Sequence, residues 1–237
     1  MTAERRRPPW WAVIASGLVG ALLTITAVVL VPGTHSVVQS AAAQRPAAVP
    51  AVPPSVTFIG DSWTEGIGAT ALRGYADLTG QQLGWRYEVL GVGGSGYDVE
   101  GRGSTFGERI DRAVSTHPDI IVVQGSLNER TSTPARLRPA ALATLTRLRA
   151  AADPSTKILV VGASYTPGTP AATINWINGI VRDDAVEAGL TFVNPAVQEW
   201  TNPADKRIWA DPNHPNDVGH QLIADHLEGL LRGMLAG

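Results

Sequence analysis

Late in the chain, Asp211-Pro212-Asn213-His214-Pro215 sets a carboxylate three residues before a histidine, with prolines that keep the segment out of a helix interior. On such a stiff loop the carboxylate can accept the imidazole Nδ1–H and leave Nε2 free to take a proton, as a general base for a hydroxyl nucleophile requires. A hydroxyl for it stands near the start of the folded part. Val56-Thr57-Phe58-Ile59-Gly60-Asp61-Ser62-Trp63 is a β-branched and aromatic run that ends in glycine and delivers Ser62. That end of a strand is where open α/β sheets place their ligands. Each signal alone has a plainer meaning. Asp61 or Ser62 caps a following helix equally well, and the Asp211–His214 stretch suits a surface loop with a helix cap at Asn216 or Asp217.

Two further loops follow strand-like runs. Gly91-Val92-Gly93-Gly94-Ser95-Gly96 fits the dinucleotide pattern G-x-G-x-x-G, but its continuation to Gly103 has more glycine and no apolar helical face, so a cofactor is not expected. The same glycines allow a backbone N–H to approach a reacting group closely, or form a plain turn. Gln124-Gly125-Ser126-Leu127-Asn128-Glu129 places Asn128 where it could donate a side-chain amide hydrogen, or simply serve a turn. His214, His220 and His226 offer no metal pair: a spacing of six turns a helix by roughly 600 degrees, and H-E-x-x-H is missing. No serine lies in a G-x-S-x-G elbow.

The elements that would carry these loops alternate. Strands are expected at Val56–Gly60, Tyr87–Leu90, Asp119–Val123, Lys157–Val161 and Leu190–Val193. Helical stretches are expected at Phe106–Ser115, Pro139–Ala152, Ile174–Ala188 and Asp217–Leu235, with a glycine-broken helix over Trp63–Leu83. In the last helix, Leu222, Ile223, Leu227, Leu230 and Leu231 are expected to form one apolar face. Continuous apolar strands between helices imply a mainly parallel five-stranded sheet covered on both faces, a three-layer α/β/α domain over residues 55–237.

Ahead of that domain, residues 1–9 hold Arg5-Arg6-Arg7, and residues 10–31 form an uncharged run long enough to span a hydrocarbon core of about 30 Å as a helix. Residues 32–54 are rich in Pro and Ala and read as a tether. The arginines are expected to stay cytosolic, giving a single-pass transmembrane signal anchor in the cell membrane with the domain outside. Ala41-Ala42-Ala43 resembles a cleavage site, and the alternative is a secreted protein after signal-peptide removal. The chain has no cysteine, which excludes thiol chemistry. Of its 19 basic and 21 acidic residues, Arg5, Arg6, Arg7, Arg45 and Glu4 precede residue 55, leaving 15 and 20, a net charge of −5 that argues against nucleic acid as a partner.

In order along the chain, Gly60-Asp61-Ser62, Gly93-Gly94, Asn128 and Asp211-x-x-His214 resemble the blocks of the SGNH (GDSL-type) hydrolase superfamily of serine esterases and lipases. The resemblance covers residues 55 to about 235 and implies an SGNH, flavodoxin-like fold. It implies Ser62 as nucleophile, His214 as base, Asp211 as its orienting carboxylate, and an oxyanion hole from Ser62, Gly94 (or Gly93) and Asn128. It implies no cofactor or metal, and a small-molecule, lipid or carbohydrate ester as substrate of a monomeric enzyme. The third block departs from the usual G-x-N-D, reading Ser126-Leu127-Asn128-Glu129, and Trp63 replaces a smaller residue where it is expected to wall the acyl site. An acyltransferase with the same triad, or a non-catalytic envelope or glycan-binding module, are the alternative functions.

Overall fold

The computed structural model describes residues 52–125 and 127–236. The expected basic segment, transmembrane anchor and cleavage site, and nearly all of the tether, lie outside the described residues. Five strands, β1 (Ser55–Gly60), β2 (Arg86–Gly91), β3 (Ile120–Gln124), β4 (Lys157–Val161) and β5 (Thr191–Val193), form one sheet in the order β2-β1-β3-β4-β5. All four pairings are parallel, so the expectation of a mainly parallel sheet becomes a wholly parallel one. Each connection must then cross a face of the sheet, and the helices do this.

Strand periodicity sorts the core into two layers. Ile59, Ile121, Val123, Ile158 and Val160 face α3 (Ile110–Val114), α4 (Pro134–Ala151) and α5 (Ala171–Glu187). Val56, Phe58, Ile120, Val122, Leu159 and Val161 face α2 (Tyr75–Leu83) and α6 (Asp217–Ala236). Because both faces are covered, strands that look uniformly apolar in sequence are sided in the fold.

Helix boundaries show where local patterns mislead. α4 begins at Pro134, with Thr133 before it, and runs through Pro139, which was expected to open it. Pro134 sits in the first turn, where its missing N–H leaves no bond unmade. Burial of Leu137, Ala141, Leu145 and Leu148 outweighs the bond lost at Pro139. In α6, Ile223, Leu227 and Leu231 are buried, while Leu222 is exposed beside them and does not belong to the apolar face. Asn216 caps α6, its Oδ1 accepting the Val218 and Gly219 N–H groups at 3.0 and 3.2 Å.

A buried arginine closes the carboxyl ends of β1 and β2. Arg109 donates to the Gly60 carbonyl at 2.8 Å, to the Leu90 carbonyl, to Ser95 Oγ at 2.8 Å and to the Thr105 carbonyl at 3.1 Å. Its guanidinium also lies 5.2 Å from the centre of the Phe106 ring. Burial pulls its pKa down to about 10, with Asp61 and Glu108 opposing, and it remains charged at neutral pH. Arg109→Leu removes several charge-assisted bonds at once and is expected to lower stability by about 3 kcal/mol or more, read as a shift in urea midpoint.

Candidate active site

β1 leads through Gly60 and Asp61 into the single turn α1 (Ser62–Glu65). A side chain at Gly60 would overlap Thr64 Oγ1, so only glycine lets the strand end this close to α1. Asp61 is the N-cap: its Oδ1 accepts the Trp63 N–H at 2.9 Å. The capping reading and the chemical one are therefore compatible, since Ser62 at the first helical position has an N–H with no intrahelical acceptor. Ser62 is 8% exposed, its hydroxyl turned toward the loop before α6.

His214 Nε2 lies 3.0 Å from Ser62 Oγ, and His214 Nδ1 lies 2.8 Å from Asp211 Oδ2. Asp211 Oδ1 accepts the N–H groups of Asn213 and His214 at 2.8 and 2.9 Å. Partial burial raises the Asp211 pKa, but the Asn213 N–H and the bonds to His214 outweigh it and hold the carboxyl below its usual range. An ionised Asp211 keeps the proton of the imidazole on Nδ1 and Nε2 toward the serine.

The opposite wall is the glycine loop after β2 and the turn after β3. Gly94 has φ +77°, and Gly101, folded back beneath the loop, would with a Cβ overlap the Gly94 and Ser95 backbone. The loop opens no helix, unlike a dinucleotide fingerprint. Asn128 Nδ2 donates to the Ser95 carbonyl at 2.9 Å, which ties the third block to the second. Ser62, Gly93, Gly94, Asn128 and His214 all line one cleft of about 400 Å³, with Ile67 and Leu127 as apolar walls. Every site residue expected from sequence except Asp211, which stands behind His214, is thus at the cleft surface.

Trp63 is not a wall of this cleft. It is buried at 4% exposure in the core layer beneath α2 and α6, and its indole N–H donates to the Asn213 carbonyl at 2.8 Å. The residue after Ser62 thereby holds the loop that carries His214. His220 is buried; its Nδ1 accepts the Tyr75 N–H at 3.1 Å, and Nε2 then donates to the Ile67 carbonyl at 3.1 Å, propping a cleft residue. His226 stacks on Trp200 at 5.0 Å.

Motif reading saw Asp61 as a cap and missed its wider role. It also accepts the Leu127 N–H, so one buried carboxylate joins the first and third blocks. Burial pushes its pKa up to about 6 against the Trp63 N–H, His214, the Leu127 N–H and Arg109. Arg102 and Arg130, also unmarked by any motif, line the cleft. An arginine in a glycine-rich loop has no sequence signal that separates it from a solvated surface charge.

A parallel doubly wound sheet, with a serine, histidine and carboxylate converging at its carboxyl edge, defines a hydrolase of the SGNH type. The sequence profile of the GDSL-like lipase/acylhydrolase family matches residues 58–222, and the chain belongs to that family of ester-hydrolysing enzymes. It is 30% identical over 194 residues to the GDSL lipase Rv0518 of Mycobacterium tuberculosis (strain ATCC 25618 / H37Rv), covering 77% of this chain and 83% of that one. Among solved structures, the lipase/acylhydrolase from Enterococcus faecalis superposes with a TM-score of 0.62 at 17% identity, covering 76% of this chain and 96% of that chain. A family two carbohydrate esterase from Clostridium thermocellum, in complex with cellohexaose, gives 0.64 at 16% identity, covering 78% and 65%. At these identities the structures show a shared fold.

The raised pKa of Asp61 has a stability consequence with a definite sign. Between pH 4 and 6 the folded state holds a proton that the unfolded chain, near 3.8, has lost, so this group's contribution falls as pH rises and levels off above about 6. Asp61→Asn mimics the protonated acid. Its unfolding free energy from urea titration is expected to gain on the wild type by up to about 3 kcal/mol as pH rises through that window, and a pH-independent difference would refute the assignment.

Proposed function

We propose that the chain is an exported, membrane-anchored serine esterase that cleaves carboxylic esters, acyl or acetyl, through an acyl-enzyme. The observation that carries the mechanism is the continuous line from Ser62 Oγ to His214 Nε2 at 3.0 Å and from Nδ1 to Asp211 at 2.8 Å. Ser62 Oγ attacks the ester carbonyl carbon as His214 takes its proton, and the carbonyl oxygen becomes an oxyanion. The Ser62 and Gly94 N–H groups and the Asn128 amide stabilise that charge. Collapse breaks the bond to the alkoxy oxygen, which leaves as the alcohol with the proton from His214. Water, deprotonated by His214, then attacks the acyl carbon, and the acid leaves as Ser62 recovers its proton.

The export reading rests on the sequence of residues 1–54, with Arg5-Arg6-Arg7 before the uncharged run over residues 10–31. The carbohydrate esterase and lipase among its relatives make an acylated saccharide or a lipid suitable substrate classes.

Ser62→Ala is expected to abolish turnover of a short 4-nitrophenyl ester with an unchanged melting temperature, and wild-type-like turnover would sink the mechanism. Asn128→Ala is expected to lower kcat by about 10²–10³ with little change in KM; a change in KM alone would remove it from the oxyanion hole. For the anchor, cell fractionation is expected to find the full-length mass in alkali-washed membranes, and a shortened soluble species would favour secretion.

A further inference from the structure

Two of the residues lining the cleft beside Ser62 are arginines, Arg102 and Arg130; among the described residues no aspartate or glutamate lines it, although the Glu65 carboxylate stands behind Gly93 with Arg102. This runs against the acidic balance of the domain as a whole. Both residues line the cleft together with Gly93, Gly94 and Asn128. Arg102 lies over Gly93, where a Cβ would come within 2.8 Å of its Nε and Nη2. Arg130 stands two residues past Asn128 on the short 3-10 turn Leu127–Thr131.

Their pairing differs. Arg102 is bridged by both carboxylate oxygens of Glu65, which offsets much of its charge, but its own side chain is 63% exposed and keeps donors free to be shared with a ligand. Arg130 is exposed, donates only a long 3.4 Å bond from Nη1 to the Leu127 carbonyl, and takes part in no ion pair among the described residues. The mouth of the cleft therefore carries at Arg130 a positive charge that no ion pair among the described residues offsets. A guanidinium presents five donors in a planar fork that fits a carboxylate or phosphate. In a cleft with apolar walls the field of such a charge is focused on the entering ligand.

We infer that the enzyme selects esters carrying an anionic group, a carboxylate or a phosphate, close to the scissile carbonyl, with Arg130 as the main contact and Arg102 as the second. This rests on the esterase reading above and names the substrate class within it. The anion docks against the wall that holds the oxyanion donors, orienting the carbonyl toward Ser62. Neutral esters lack that contact and enter on apolar burial alone.

The test uses the full-length protein in detergent and two matched pairs of esters. Monomethyl glutarate against its terminal amide carries the charge on the acyl side, and 4-acetoxybenzoate against 4-acetoxybenzamide carries it on the leaving alcohol. At low salt the anionic member of at least one pair is expected to have a kcat/KM about tenfold higher, and the pair that shows it locates the charge. The preference is expected to shrink in about 0.5 M salt and to fall several-fold in Arg130→Gln, further with Arg102→Gln added. Calorimetric binding of the same compounds to Ser62→Ala reads the discrimination without turnover. Equal values within both pairs, or a preference that survives both substitutions, overturns the inference. Turnover of the neutral esters shows separately whether the esterase reading stands.

Discussion

The carboxyl end of β1 depends on two buried charged groups that flank Gly60. Arg109 gathers the carbonyls of Gly60, Leu90 and Thr105, and Asp61 gathers the N–H groups of Trp63 and Leu127. A buried charge is tolerated only when its bonds are satisfied, so each group enforces the one backbone arrangement that satisfies it. Together they fix the ends of β1 and β2 and the turn after β3 against one another. Ser62, the glycine loop and Asn128 ride on those three segments. Small errors in any of them would displace these groups from one another by more than a reacting site tolerates.

Strand order explains why this edge is the site. With β2 on one side of β1 and β3 on the other, the connections leave β1 and β3 in opposite directions, opening a crevice at the switch point. His214 is delivered from the far end of the chain, on the loop before α6. The Trp63 indole joins that loop to the turn of Ser62, and Gly168 N–H, from the loop after β4, holds the Pro212 carbonyl at 2.7 Å. The rigid prolines then leave His214 little freedom to lose its line to Ser62.

The fold is shared with lipase and carbohydrate esterase structures at 16–17% identity, so the scaffold does not choose the ester. What varies between such enzymes is the loop surface around the reacting atoms. In this chain that surface joins Ile67 and Leu127 to Arg102 and Arg130, an apolar slot with a cationic mouth.

The five strands, the order of the blocks and the types of the cleft residues are legible in the chain itself, because apolar runs and short polar motifs are local signals. The same local reasoning placed the start of α4 at Pro139 and Leu222 on an apolar face, where burial against the sheet decided otherwise. It set Trp63 in the acyl site because it could not see that the side chain turns under α6. Asp61 read as a cap, which it is, yet its second bond joins segments far apart in sequence. Sequence alone determined which groups could carry an esterase: a serine after β1, a histidine and its carboxylate before α6, and candidate donors between. Only the tertiary structure decided that Ser62 and His214 meet at 3.0 Å and that two unmarked arginines share their cleft. Motifs record residue type and spacing along the chain, whereas distance across the sheet edge is set by strand order and by the buried bonds that hold the loops.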